Sequence, residues 1–240
     1  MLLHLTQKFI LKKMYKILKK IFIISSLAVI VFSIFVLVTN RNSKNMTVKQ
    51  KFLKTVYPVF MWFSGKDNNA VLHLTKENSV PSTSFYSLKD TLSNGMVFDF
   101  ALLKGKKVML VNTASDCGYT NQYADLQKLY ELNKDKLVVI GFPANNFKEQ
   151  EKGSDEEIAA FCKNNFGISF PLMKKSSVLK NENQSAVFNW LTEPAKNGWN
   201  NKQPSWNFCK YLVDENGNLT DFFGPAIEPL GKEITKAINR

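Results

Sequence analysis

The sequence predicts an α/β domain, a central mixed sheet flanked by helices, preceded by one membrane-spanning helix. Three observations carry this reading. From Phe85 onward short apolar runs alternate with helix-periodic stretches, residues 21–39 hold no charge, and Asn94-Gly95 and Asn216-Gly217 mark tight turns. A chain of 240 residues, 45% of them apolar, is long enough for one sizeable core and a tail.

The N-terminal elements follow from charge and length. Eleven of the 32 basic residues fall before residue 55, where there is no Asp or Glu, so +11 of the formal +12 belongs to that part. The remainder is nearly neutral and has no basic stripe, which excludes nucleic acid as a partner. Residues 1–20 form a basic tail, and Met14 is a second candidate start within it. The uncharged run Ile21 to Thr39, nineteen residues at 1.5 Å each, approaches the ~30 Å of a bilayer core and is expected to be a transmembrane anchor. A cleaved signal peptide is the rival reading. Val36-Leu37-Val38-Thr39-Asn40-Arg41 offers no small-residue cleavage site, and no cysteine follows for a lipid anchor. Lys8, Lys12, Lys13, Lys16, Lys19 and Lys20 precede the span and five basic residues follow it, which leans toward a cytoplasmic N-terminus and an extracytoplasmic domain.

Residues 40–83 form a juxtamembrane segment. Between 47 and 63, Lys49, Lys51 and Lys54 alternate with Val48, Phe52, Leu53, Val56, Val59, Phe60 and Phe63 at near-helical spacing, with a kink expected at Pro58. Such a helix lies on a membrane, with Trp62 near the boundary, or packs on the domain; both readings stand. Gly65 to Ser84, with Asn68, Asn69, Asn78, Pro81 and Ser82, reads as a polar linker.

The globular domain occupies residues 84–240. Val108–Val111, Leu137–Phe142, Tyr211–Val213 and Leu219–Phe223 are its strand candidates, and Asn216-Gly217 joins the last two as a hairpin. Tyr123 to Leu132 carries Leu126, Leu129, Tyr130 and Leu132 at helical spacing, and Ser154-Asp155-Glu156-Glu157 caps a helix over Ile158 to Asn164. A terminal helix is expected near Leu230 to Ile238. Parallel strands joined by helices and closed by an antiparallel hairpin describe a thioredoxin-like sheet.

The chemistry centres on Cys117. Asn112-Thr113-Ala114-Ser115-Asp116-Cys117-Gly118-Tyr119-Thr120 ends an apolar run with one cysteine at an expected strand-to-helix turn. Unpaired N–H groups and the helix dipole there would lower the thiol pKa below its free value of roughly 8.5. Cys117-Gly118-Tyr119-Thr120 is not a dithiol pair, and His4 and His73 lie before the domain, so dithiol exchange and metal binding both lack their residues. A lone cysteine is otherwise a small buried hydrophobe; its position favours a single-cysteine nucleophile.

Four blocks in order, Ala114-Ser115-Asp116-Cys117-Gly118-Tyr119-Thr120, Gly141-Phe142-Pro143, Phe147-Lys148-Glu149-Gln150-Glu151 and Trp206-Asn207-Phe208, resemble the signature blocks of the glutathione peroxidase family. The resemblance covers roughly residues 84 to 240. It implies a thioredoxin-like fold and reduction of hydrogen peroxide and organic or lipid hydroperoxides in the response to oxidative stress, with no cofactor or metal. Cys117 then matches the peroxidatic position, and Gln150, Trp206 and Asn207 match the rest of a catalytic tetrad whose N–H groups support thiolate and leaving oxyanion. Cys162 matches the region of a resolving cysteine in relatives recycled by thioredoxin; glutathione is the other candidate reductant.

Departures from the family pattern are local. Lys148-Glu149 stands in place of Gly-Gly, Ala144 in place of a further cysteine, and Asp116 puts a negative charge beside Cys117. Cys209 reads as a core residue. The stretch Lys174 to Trp206 lacks the long insertion that builds tetramers in some relatives, which implies a monomer. The alternative function is a membrane-anchored thiol redox sensor that passes oxidation from Cys117 to a partner protein. A metal or thiol chaperone is disfavoured by the lack of histidine in the domain.

Overall fold

The computed structural model describes residues 2–41, 43, 46–63, 71–74 and 80–240. It divides into two compact units, Met1–Asn42 and Ser43–Arg240. The first is one helix, α1 (Leu2–Thr39), which runs back through the basic tail as well as the expected span. Its stretch Leu11–Thr39, 29 residues, is long and apolar enough to cross a membrane. A signal sequence passes the same test of length and composition.

The second unit is built on a five-stranded sheet. Its strands are β1 (Val71–His73), β4 (Lys107–Thr113), β5 (Leu137–Pro143), β6 (Lys210–Val213) and β7 (Leu219–Phe223), in the order β1-β7-β6-β4-β5. Only β4 and β5 are parallel, in register from Lys107↔Leu137 to Thr113↔Pro143; the rest pair antiparallel. A separate hairpin of β2 (Lys89–Thr91) and β3 (Val97–Asp99) turns at Asn94-Gly95. The helices are α2 (Val48–Phe63), α3 (Gln122–Leu132), α4 (Asp155–Phe166), α5 (Ala186–Thr192), α6 (Pro194–Asn197) and α7 (Lys232–Ile238).

Strand alternation divides the core into two layers. Met109 and Val111 of β4 face α3, α4 and α7 with Leu126, Leu129, Ile158, Cys162 and Ile234. Val108 and Leu110 face the other way, toward Phe85, Phe188, Trp190 and Tyr211. Period-two side-chain geometry makes both faces of β4 apolar, the signature of a strand covered on both sides. The capping box expected at Ser154 forms: Ser154 Oγ accepts the Glu157 N–H at 3.2 Å and Glu157 Oε2 accepts the Ser154 N–H at 2.8 Å. Such a cap contributes about 1 kcal/mol.

The expected strands and hairpin turns are found, and the sequence reading needs two changes. The segment taken as a linker contains β1, whose Val71 and Leu72 pair with Phe223 and Phe222; most of its polar positions, Asn68, Asn69 and Asn78 among them, lie outside the described residues. Helix α2 passes through Pro58 as one helix. It belongs to the compact unit that begins at Ser43, in keeping with the reading that packs it on the domain.

Candidate active site

The parallel pair β4 and β5 ends in two loops, and the site is assembled where those ends meet the segment before β6. Asn112, fully buried at the end of β4, is the joint. Its side-chain Nδ2 donates to Trp206 O at 3.0 Å, its Oδ1 accepts the Cys209 N–H at 3.0 Å, and its backbone carbonyl accepts the Phe208 N–H at 2.6 Å. With its N–H donating to Cys209 O at 3.4 Å, four bonds from one residue fix the 206–209 segment beside the β4 loop. Phe208 takes a positive φ of 68° in that tight passage.

The loop itself is folded around Cys117 by Thr120. Thr120 Oγ1 accepts the Cys117 N–H at 3.0 Å and lies 2.8 Å from both Ala114 O and Cys117 O, to which it can donate. The Tyr119 N–H donates to Cys117 Sγ at 3.4 Å. Side chains of Trp206 and Asn207 and the Gly118 N–H add further donors to the sulfur. Four donors directed at one sulfur favour its thiolate.

Burial outweighs them in this arrangement. Cys117 is fully buried, and desolvation pushes its thiol above the ordinary value despite the four donors. The expectation of a lowered pKa from a helix N-terminus therefore fails. Helix α3 begins only at Gln122, so Cys117 sits in the loop ahead of it and outside the range of the dipole's first turn. Asp116, beside Cys117, is engaged by α2. Its carboxylate is held by Gln50 Nε2 at 2.7 Å and Lys49 Nζ at 3.3 Å, both from α2.

Gln150 joins the group at one remove. Its Oε1 accepts from Asn207 Nδ2 at 3.0 Å, and its backbone carbonyl accepts the Asp116 N–H at 3.0 Å. Gln150 is thereby linked to the site through Asn207. Asn207 Oδ1 is buried with no hydrogen-bond partner among the described residues. Lys148 and Glu149 before it have φ of 50° each, left-handed backbone that glycine adopts without strain. Lys148 Nζ lies 5.6 Å from the centroid of the Trp206 ring, and Phe147 packs on the same ring at 5.6 Å.

Sequence alone assigned no role to Glu151, and it left the packing of the 47–63 helix on the domain as one of two readings. Glu151 is 1% exposed, and burial raises its carboxyl to about 7 against the pull of Ser115. Helix α2 covers the loop: Gln50 Nε2 also donates to Ser115 O at 3.4 Å, and Phe60 meets Tyr119 edge-on at 5.1 Å. The free space left at the sulfur is a cavity of about 10 Å³ between Cys117, Gly118 and Thr120 on one side and Met46, Gln50, Leu53 and Lys54 on the other. That is room for no more than a single water.

The other cysteines stand apart in chemistry. Cys162 on α4 is fully buried in the same apolar layer as Cys117, its thiol pushed up to about 12 by desolvation, with Tyr123 pulling the other way. Cys209 is buried in the opposite layer. All three thiols are free. Among the described residues no group of three or more His, Cys, Asp or Glu is placed to hold a metal ion.

Comparison with known proteins agrees with this geometry. The family model described as glutathione peroxidase matches residues 85–192. Glutathione peroxidase-like peroxiredoxin 2 of Saccharomyces cerevisiae is 43% identical over 162 residues, 66% of this chain and 99% of its own. Glutathione peroxidase homolog BsaA of Staphylococcus epidermidis is 43% identical over 158 residues, 65% of this chain and 99% of its own. The apo crystal structure of Trgpx matches with a TM-score of 0.51 at 31% identity, over 66% of this chain and 97% of that one. A DsbF homologue from Corynebacterium diphtheriae, at 17% identity and a TM-score of 0.52 over 74% of this chain and 96% of its own, shares the fold. With nearly the whole length of such relatives matched at over 40% identity, and a cysteine ringed by N–H donors at the end of β4, this chain belongs to the glutathione peroxidase family and is a peroxidase of thioredoxin-like fold.

Proposed function

We propose that Cys117 is the peroxidatic residue of a thiol peroxidase acting on hydrogen peroxide and on organic or lipid hydroperoxides. The observation that carries this is a single buried sulfur that accepts the Tyr119 N–H at 3.4 Å, with Trp206 and Asn207 held beside its loop by Asn112. In the first step the thiolate attacks one peroxide oxygen. The O–O bond breaks, the sulfur is oxidised to sulfenic acid, and the other oxygen leaves as alkoxide or hydroxide and takes a proton. Trp206 and Asn207 N–H groups stabilise that leaving oxygen. The orphan Asn207 Oδ1 is an acceptor for the O–H of a bound hydroperoxide.

Cys162 is the proposed resolving thiol. Its sulfur condenses with the Cys117 sulfenic acid, forming a disulfide and releasing water; a thioredoxin-type protein, or glutathione, then reduces that disulfide. With its thiol at about 12, Cys162 is inert where it lies, so resolution requires the first turns of α4 to open and admit water. One equivalent of hydrogen peroxide followed by mass spectrometry tests the pairing. The expected product is a Cys117–Cys162 disulfide; a stable sulfenic acid at Cys117 with Cys162 still reduced contradicts it and favours the sensor reading.

The proposal places the domain outside the cytoplasm on an uncleaved α1 and takes it as a monomer. Protease digestion of intact cells, then of lysed ones, reads the side. A domain resistant in intact cells, or light scattering that returns a tetramer, sinks the corresponding part.

A further inference from the structure

Helix α2 has a second apolar side that the catalytic loop does not use. Val48, Phe52 and Val59 are 85%, 53% and 57% exposed, and Trp62, 81% exposed, lies along the same line. At 3.6 residues per turn these four positions fall within about 80° of arc. The loop-facing residues Met46, Gln50 and Leu53 lie on the opposite side, against Cys117, Gly118 and Thr120. Lys51 lies beside this stripe on the same helix, which carries no acidic residue, while Lys49 is paired with Asp116 and Lys54 lines the inner cavity.

An exposed stripe of valine, phenylalanine and tryptophan on a helix whose only charges are basic fits the boundary of an anionic bilayer, where aromatic rings and aliphatic side chains enter the headgroup region and a lysine such as Lys51 meets lipid phosphate. Position in the chain agrees, since only residues 40–47 separate α2 from α1, the helix long enough to cross a bilayer. A second copy of the chain is a poorer occupant, because a two-fold contact along this stripe would bring like-charged lysines together.

We propose that the outer face of α2 docks on an anionic lipid surface, so that the helix bonded to Ser115 and Asp116 on its inner side sets the Cys117 pocket at that surface. Hydroperoxides formed on lipid acyl chains are then presented where the cover over the sulfur is anchored. The docking stands on α2 alone; its use in catalysis rests on the peroxidase reading of Cys117.

The test uses the full chain in lipid nanodiscs of brominated phosphatidylcholine, with and without phosphatidylglycerol. The difference between wild type and Trp62→Phe isolates Trp62 fluorescence from that of Trp190, Trp199 and Trp206. Docking is expected to quench Trp62 in the anionic discs and much less in the neutral ones. The double variant Phe52→Asp, Val59→Asp is expected to lose the quenching, while Phe52→Leu, Val59→Leu keeps it. The ratio of lipid-hydroperoxide to hydrogen-peroxide turnover should fall about tenfold in the Asp variant, as expected for withdrawing two apolar side chains from the interface. Quenching that is absent, or equal in both disc types, overturns the docking. An unchanged ratio after the quenching is lost overturns its role in presenting substrate. Intact quenching with no turnover of any peroxide sinks the peroxidase reading and leaves the docking standing.

Discussion

At the scale of single residues, the site depends on groups whose importance lies in what they hold. Asn112 stands at the end of the apolar run 108–111, and nothing in its local pattern distinguishes it from a strand terminus; its four bonds to the 206–209 segment appear only when β4 and β6 pair. Asn112→Leu strands two buried backbone groups, which is expected to cost about 2–4 kcal/mol in stability and to lower kcat/KM roughly a hundredfold through misplaced Trp206 and Asn207. Peroxide turnover and thermal melting on the same preparation check both; full activity with lowered stability would assign Asn112 to the fold alone. Glu151 makes a pH-dependent contribution. Its carboxyl is raised to about 7 from an ordinary 4.5, so the folded chain keeps the proton that the unfolded chain releases, and stability is lost as pH rises from 4.5 to 7. Glu151→Gln should match wild type near pH 4 and exceed it by about 3 kcal/mol at pH 8. Denaturant melts of both proteins across that range read the effect, and parallel curves would mean that Glu151 ionises normally.

At the scale of elements, legibility followed burial and length. The runs Val108–Val111 and Leu137–Phe142 could be read because strands covered on both faces are apolar at every position, and α4 because Ser154 and Glu157 form its cap. Strand β1 could not, being three residues in a polar stretch whose strand character comes from pairing with β7. Helices α5 and α6, of seven and four residues, are too short to show a period. The catalytic blocks were legible as a resemblance, but the state of the Cys117 thiol was not, since a sequence shows neighbouring donors and hides desolvation. Part of that desolvation comes from α2, for which the sequence left lying on a membrane and packing on the domain both open. Gln50→Ala with Leu53→Ala removes its polar and apolar grip on the loop and is expected to raise the alkylation rate of Cys117 about tenfold, the worth of one or two buried contacts. Site-resolved mass spectrometry separates Cys117 from Cys162 and Cys209. An unchanged rate would mean that α2 does not limit access to the sulfur.

At the scale of the whole molecule, the chain joins a peroxidase domain to an N-terminal part that its relatives' matched length does not include: the yeast and staphylococcal proteins are covered at 99%, yet account for 66% and 65% of this chain. The charge is divided in the same way, with most of the excess of lysine before residue 55 and a near-neutral domain after it. Fold and family were legible from the domain because burial and the four blocks are local properties of sequence. The union of α2 with the domain was legible only as one of two readings, because it depends on Gln50, Lys49 and Phe60 meeting residues more than fifty positions away. The central claim remains that one sulfur does the chemistry. Stopped-flow reduction of hydrogen peroxide by wild type and Cys117→Ser, with thioredoxin and glutathione supplied in turn, tests it most directly. Turnover with one of the two reductants in wild type and none in Cys117→Ser is the expected result. Equal turnover in both proteins, or none in wild type with either reductant, would contradict it.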